Sequence, residues 1–131
     1  MSRTLRIVSV CGVMAAVTLC AAPVFAGTAW IPFSKQLPRL GGVIQLSQDT
    51  NQNNTNAQAD ISNVGSNYLV NLDIQMGNTQ ESNIYYGAGD NTLASFVVDA
   101  STLGKQIELY GWNDTWTAVR VEVDGHFRAD S

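Results

Sequence analysis

Two tryptophans frame a short polar segment near the C-terminus, Trp112-Asn113-Asp114-Thr115-Trp116. The polar residues between them are typical of a hairpin turn, which would place one indole on each side of the turn. An exposed aromatic ring can stack on a pyranose face while neighbouring amide and carboxylate groups bond the sugar hydroxyls. The first candidate carbohydrate-binding residues are therefore Trp112, Asn113, Asp114 and Trp116.

Tyr85 and Tyr86 extend this hypothesis, because they precede two glycines and could lie at the rim of the same sheet. A structural interpretation competes with it: tryptophans are highly buried on average, and the rings could plug the ends of a small β-domain. Alternation around Val119 places that residue inward and favours burial of Trp116 at the end of the sheet. Trp112 begins the turn, so we expect it to be the less buried of the two indoles.

A calcium loop is the second chemistry that residue spacing allows. Asp49, Asn51 and Asn53 occupy the first, third and fifth positions of an EF-hand pattern, and Asp60 occupies the twelfth. The pattern departs from an EF-hand because Asn54 replaces the glycine, an aspartate replaces the bidentate glutamate, and strands are predicted on both sides. A solvated, Asn-rich turn is the simpler interpretation, so we predict no metal site and no cofactor.

The other ionisable residues form no recognisable catalytic pattern. His126 is the only histidine, and no G-x-S-x-G elbow or comparable nucleophile motif accompanies it. Acidic residues are numerous enough to pair for glycoside hydrolysis, but no pair stands out. We therefore predict that the protein is not an enzyme and that His126 lies on the outward face of the last strand.

The segments that must position these residues are predicted to be short β-strands. In 68–76, apolar residues alternate with Asn71, Asp73 and Gln75, which predicts a half-buried strand, and 117–127 alternates in the same way. Weaker candidates at 29–33, 43–47, 57–64, 82–86, 93–99 and 106–112 are separated by turns rich in Gly and Asn. Seven or eight short strands predict an all-β, antiparallel sandwich or a small barrel, with one helical turn at 100–104. The Asn- and Gln-rich stretch 47–60 is either an exposed loop or an edge strand.

Residues 1–26 have the features of a secretory signal peptide. Arg3 and Arg6 precede an apolar run, and small residues at Val24 and Ala26 suit signal peptidase. A membrane anchor is the alternative, but the apolar run is shorter than the roughly 20 residues that a spanning helix needs. A lipid anchor at Cys20 is disfavoured because Leu19 replaces the small residue that precedes a lipidated cysteine. We therefore predict a secreted, extracellular protein whose single domain spans 27–131.

The charge of the chain limits the partners that it can bind, and its cysteine content limits how the domain can be stabilised. The 131-residue chain has 7 basic and 11 acidic residues, and loss of residues 1–26 leaves 5 basic against 11 acidic, a net charge of −6. An acidic domain of this kind is poorly suited to nucleic acid. Both cysteines, Cys11 and Cys20, leave with the signal peptide. The hydrophobic core must then stabilise the domain without disulfides.

Both ends of the mature chain carry short motifs that define a resemblance. These are 29–33 (AWIPF), 37–42 (LPRLGG) and the ending 119–130 (VRVEVDGHFRAD). The ending is similar to the V-x-V-x-G-x-W-x-x-D finish of small, largely uncharacterised proteins secreted by Gram-positive bacteria, with Phe127 in place of the tryptophan. The resemblance implies a compact β-sandwich and a bacterial role at cell surfaces or between bacteria. It transfers no catalytic residue.

These features favour a secreted, non-catalytic β-sandwich that acts by surface recognition in the extracellular space or at a cell envelope. Its partner would be a cell-surface molecule or another protein. The alternative is a small carbohydrate-binding module that uses exposed Trp and Tyr residues. A secreted antagonist of the bacteriocin type is compatible with the same features.

Overall fold

The computed structural model describes residues 28–131, so the predicted signal peptide lies outside the described residues. Nine strands form within this range. They are β1 Ile31–Leu37, β2 Ile44–Thr50, β3 Ala57–Val64, β4 Val70–Met76, β5 Thr79–Gln80, β6 Tyr85–Ala88, β7 Thr92–Phe96, β8 Gln106–Asn113 and β9 Val121–Arg128. Short 3-10 turns occupy Gly65–Asn67 and Ala100–Thr102, the second of them at the predicted helical turn.

The strands form two antiparallel sheets. The four-stranded sheet has the order β1-β9-β3-β7, and the five-stranded sheet has the order β2-β8-β4-β5, with β6 also paired to β4. The two sheets pack against each other over one hydrophobic core, so the predicted all-β sandwich is confirmed and the barrel alternative is not adopted. The strand that sequence reasoning missed is β5, which has only two residues.

Strand β9 lies in the middle of the four-stranded sheet, with β1 on one side and β3 on the other. Its inward residues are Val121, Val123, Gly125 and Phe127, all buried. A Cβ at Gly125 would clash with the carbonyl oxygen of Asp60 and lie 3.1 Å from Cζ of Phe33, so only glycine fits this crossing. The strand begins at Val121, not at 117, and Val119 is half exposed. The predicted inward placement of Val119 is therefore wrong.

Strand β4 is buried on both sides, which the sequence did not predict. Val70, Leu72 and Ile74 face the core, as their alternation predicts. Asn71 and Asp73 face the other way, yet only 5% and 3% of their surfaces are exposed. The prediction of a half-buried strand is wrong, because β4 is paired along both edges and its outward residues Asn71 and Asp73 are also buried.

The core is built almost entirely from aliphatic and phenylalanine side chains. Its largest fully buried apolar members are Phe96, Phe127, Leu37, Leu46, Ile61, Leu72, Ile74, Ile107 and Leu109. Complete burial of each such side chain stabilises the fold by about 1.5–3 kcal/mol relative to exposure. This core supplies the stability that a domain without cysteines requires.

The outer strands β1 and β2 carry irregular features. Strand β1 is an edge of the four-stranded sheet and contains Pro32 and an exposed Lys35. Strand β2 is an edge of the five-stranded sheet, and its pairing with β8 shifts register between Gln45 and Ser47. The Asn- and Gln-rich stretch 47–60 is thus part edge strand, part loop and, from Ala57, part of the interior strand β3.

Within residues 28–131, no helix has the length and hydropathy of a transmembrane segment.

Candidate functional site

The two candidate tryptophans lie in different places, because the segment between them is not a hairpin turn. Strand β8 ends at Asn113, and 114–120 crosses to the other sheet, where β9 begins. Trp112 is half-buried and faces the outer side of the five-stranded sheet, whereas Trp116 is 71% exposed in the crossing loop. The predicted order of burial is therefore reversed, and one indole lies on a sheet face while the other lies at the end of the sandwich.

Asn113 does not accompany the tryptophans as a surface amide. It alternates inward with Ile107 and Leu109 and is only 3% exposed. Neither its Nδ2 nor its Oδ1 has a hydrogen-bond partner. Asp114 is exposed, and its backbone N–H donates to the Leu69 carbonyl at 3.0 Å. The proposed amide and carboxylate partners of the two indoles thus point in different directions.

Tyr85 and Tyr86 also divide between the core and the surface. Tyr85 is half-buried, pairs with Leu72 and packs against the core. Tyr86 is 68% exposed. The next residue, Gly87, has a φ of +73° and donates its N–H to Oδ1 of Asn71 at 3.0 Å. The pairing of β6 with β4 shifts register at this point, and Tyr86 lies at the margin of the outer face of β4.

The outward residues of β4 and β8 form a surface that we call the polar-aromatic face. It consists of Asn71, Asp73, Gln75, Glu108, Tyr110 and Trp112. Asn71 pairs with Trp112, Asp73 with Tyr110, and Gln75 with Glu108. Directly paired residues in antiparallel strands have Cβ atoms about 4.5–5.5 Å apart. Each ring of β8 therefore has a hydrogen-bonding group of β4 beside it.

The carboxylates of the polar-aromatic face accept few hydrogen bonds from the protein. Nε2 of Gln75 donates to both carboxylate oxygens of Asp73, at 3.2 and 3.3 Å. Burial raises the pKa of Asp73 above its ordinary value, and the hydrogen bond from Gln75 opposes part of that increase. On β8, Oε1 of Glu108 is enclosed and has no hydrogen-bond partner. Two acceptor groups with few protein donors thus lie beside the Tyr110 ring.

Comparisons with known proteins add no family to this description. No family model, curated protein or solved structure matches the chain. The resemblance to small proteins secreted by Gram-positive bacteria stays a prediction.

The calcium residues are engaged by the fold instead of converging on one point. Oδ1 and Oδ2 of Asp49 accept backbone N–H groups of Thr50 and Ala129, at 2.9 and 3.0 Å. Asn51 is buried, donates to Oγ1 of Thr102 at 2.8 Å and accepts the Asn54 N–H at 2.9 Å. Two residues of the pattern are thus used within the fold.

The other two calcium residues, Asn53 and Asp60, lie apart. Asn53 is exposed in the 51–56 loop, while Asp60 lies on β3 in the opposite sheet, paired with the exposed His126. In the described range 28–131, no group of three or more His, Cys, Asp or Glu side chains is arranged to hold a metal ion. The EF-hand interpretation of Asp49, Asn51, Asn53 and Asp60 therefore does not fit the structure.

The same loop encloses a carboxylate that the sequence analysis overlooked. Asp130 is fully buried and accepts backbone N–H groups of Gln52 at 2.6 Å, Asn53 at 3.1 Å and Thr55 at 3.4 Å. The loop therefore presents its N–H groups inward to an anion, the opposite of what a cation site requires. No local pattern indicates this contact, because the two partners are more than 70 residues apart.

A second surface lies where the β1–β2, β3–β4 and β8–β9 connections meet. We call it the Trp116 end, and its exposed apolar side chains are Leu40, Val43, Leu69, Trp116 and Val119. Two backbone hydrogen bonds join the three connections. The Leu40 N–H donates to the Thr117 carbonyl at 2.6 Å, and the Asp114 N–H donates to the Leu69 carbonyl at 3.0 Å. Leu40 has a φ of +62°, a backbone conformation that a leucine rarely adopts.

The opposite end of the sandwich has an open cleft of about 580 Å³, lined by Gln80, Glu81, Ser82, Val97, Val98 and Asp99. Asp99 caps the following 3-10 turn, since its Oδ1 accepts the Ser101 N–H at 2.9 Å. Its carboxylate therefore serves the local fold.

Proposed function

We propose that this chain is a secreted, non-catalytic recognition protein that binds a protein at a bacterial cell surface through the Trp116 end. The observation that supports this proposal is the group of five exposed apolar side chains on three connected loops. Contiguous exposed apolar patches on soluble domains commonly mark protein interaction sites. Trp is also enriched among the residues that dominate binding energy at interfaces.

The loops of the Trp116 end are suited to binding because the fold fixes their conformation. The tie between Leu40 and Thr117 joins the β1–β2 loop to the crossing loop, and the Tyr68 hydroxyl lies 3.3 Å from Oγ1 of Thr117. A binding loop that is ordered before contact loses less conformational entropy on association. The left-handed conformation of Leu40 is a local strain of the kind that clusters at functional sites.

Export is the first test of this proposal. When the full chain is expressed in a bacterium, mass spectrometry of the culture supernatant should find a protein that begins at Gly27. Retention of the full-length chain in the membrane fraction would contradict secretion.

Cell binding tests the recognition surface itself. Fluorescently labelled mature protein should bind washed bacterial cells, and Trp116→Ala combined with Leu40→Ser should reduce that binding at least tenfold. Leu93→Ala is the matched control, because Leu93 is exposed to a similar extent but lies on the edge strand β7 and not on the three connections. Equal binding by the double variant and the control would exclude the Trp116 end as the recognition surface.

A carbohydrate-binding module is the second candidate, and the polar-aromatic face favours it. The sequence suggested Trp112 and Trp116 as the two stacking residues. In the structure the ring that accompanies Trp112 is Tyr110, two residues earlier on the same side of β8. This candidate uses a different surface from the Trp116 end, so the two functions can be tested separately.

A further inference from the structure

The polar-aromatic face presents two aromatic rings and several partly exposed polar side chains. Along β8, Tyr110 and Trp112 lie on the same side of the strand, and two residues of an antiparallel strand span about 7 Å. Both rings are half-buried, so their orientations are constrained by neighbours. Two fixed aromatic rings in a line offer two successive stacking positions, which suits an oligosaccharide better than a single sugar.

Two carboxylates, Asp73 and Glu108, lie among the polar groups beside these rings. Asp73 is only 3% exposed and receives hydrogen bonds from Gln75 alone, so it lies beneath the surface. Oε1 of Glu108 is enclosed without a partner, but the Glu108 and Gln75 side chains are each partly exposed. Ionised carboxylates only accept hydrogen bonds. A ligand that contacts the exposed part of Glu108 must supply donors, and sugar hydroxyls are donors that also tolerate an aromatic neighbour.

The charge of the face restricts the class of sugar. The outward neighbours contributed by β2 are Gln45, which pairs with Tyr110, and Gln48, which pairs with Glu108. On the other side, β4 contributes Asn71 and Gln75. All four are uncharged amides, so no lysine or arginine at these positions offsets Asp73 and Glu108. An acidic glycan would place its own carboxylates or phosphates beside two like charges.

We infer that the polar-aromatic face is a binding site for neutral oligosaccharides, with Trp112 and Tyr110 as the stacking residues. Glu108 and Gln75 bond the sugar hydroxyls from the neighbouring positions. Asp73 holds the Gln75 amide in place and excludes anionic ligands. This inference is independent of the Trp116 end and of any protein partner there.

Affinity electrophoresis of the mature protein tests the inference directly. Native gels contain a soluble neutral polysaccharide (a β-glucan, a xylan or a galactomannan) or the acidic polygalacturonate at equal concentration. At least one neutral polysaccharide should retard the wild-type protein, and polygalacturonate should not. Trp112→Ala should weaken the retardation about tenfold, which corresponds to the loss of one stacked ring.

Matched variants separate binding from folding. Trp116→Ala removes the same side chain from another surface and should migrate like the wild type. Trp112→Phe keeps an aromatic ring and should retain most of the retardation. A cooperative thermal melt of Trp112→Ala shows that its loss of retardation is not due to unfolding. Glu108→Gln removes one like charge and should increase retardation by polygalacturonate.

Three results would overturn the inference. They are a wild-type protein that none of the neutral polysaccharides retards, stronger retardation by polygalacturonate, and an equal loss in Trp112→Ala and Trp116→Ala.

Discussion

The carboxylate of Asp130 accepts the backbone N–H of Gln52 at 2.6 Å, which ties the end of the described chain to the Asn-rich loop 51–56. Asn53 and Thr55 donate to the same side chain, so one buried carboxylate fixes the conformation of the loop. A stretch whose composition is typical of a solvated turn is thus ordered by a residue far away in sequence.

Asp130→Ala should destabilise the domain by about 2–3 kcal/mol, because partly buried N–H groups of the loop lose their acceptor. Urea denaturation of the variant measures this change. Asp114→Ala, which removes an exposed carboxylate, should alter the free energy of unfolding by less than about 0.5 kcal/mol. Equal effects of the two variants would show that the contacts of Asp130 are not needed to order the loop.

The two tryptophan replacements should rank in the opposite order from the sequence-based prediction, with the larger loss of stability at Trp112. Trp112→Ala should lower the free energy of unfolding by about 1–3 kcal/mol, since a half-buried ring loses part of the 3–5 kcal/mol typical of a fully buried one. Trp116→Ala should change it by less than about 0.5 kcal/mol, because the ring is 71% exposed. Thermal melts of both variants provide the comparison, and a lower Tm for Trp116→Ala than for Trp112→Ala would contradict the structure.

The raised pKa of Asp73 predicts a specific pH dependence. The folded protein binds this proton more tightly than the unfolded chain does, so the stability contributed by Asp73 falls as pH rises from the ordinary carboxyl pKa through the raised folded value. Asp73→Asn removes the titration. It should therefore raise Tm relative to the wild type more at about pH 7 than at about pH 3.

Asp114→Asn controls for the loss of one negative charge in that experiment. A Tm difference for Asp73→Asn that is the same at both pH values would show that burial of this carboxylate has no energetic effect on folding.

Gly125→Ala should destabilise the domain by about 1–3 kcal/mol or more, because the new methyl group would overlap the Asp60 carbonyl oxygen and crowd the Phe33 ring. Gly65→Ala is the control, since a Cβ there would lie 3.5 Å from the nearest atom, an ordinary contact. Chemical denaturation should rank the wild type close to Gly65→Ala and well above Gly125→Ala. Similar midpoints for the two variants would mean that β3 can move away from β9 at little energetic expense.

Sequence patterns located most of the strands but not the surroundings of their outer faces. Residues 57–64 form a strand with the bounds that were predicted, and the inward positions of Val121 and Val123 follow from simple alternation. Alternation specifies which side of a strand a residue occupies, but not what packs on that side. The burial of Asp73 depends on strands that join β4 from other parts of the chain, and no local pattern encodes them.

The candidate site was harder to predict for the same reason. The indoles of Trp112 and Trp116 are four residues apart, and their separation onto a face and an end depends on the chain leaving one sheet for the other after Asn113. Polar turn composition predicts a change of direction and does not specify a change of sheet. Tyr110 gave no signal because a single tyrosine in a strand pattern has many structural explanations.

The irregular edge strands bear on self-association. Fibrils grow when a flat strand edge recruits the same strand from another molecule, and Asn- and Gln-rich segments are prone to this stacking. In β1, Pro32 lacks a ladder donor and Lys35 adds an exposed charge, while the register shift between Gln45 and Ser47 bends β2. Each of these features makes edge-to-edge growth harder, so an amide-rich chain can remain dispersed at high local concentration while its loops stay open to other molecules.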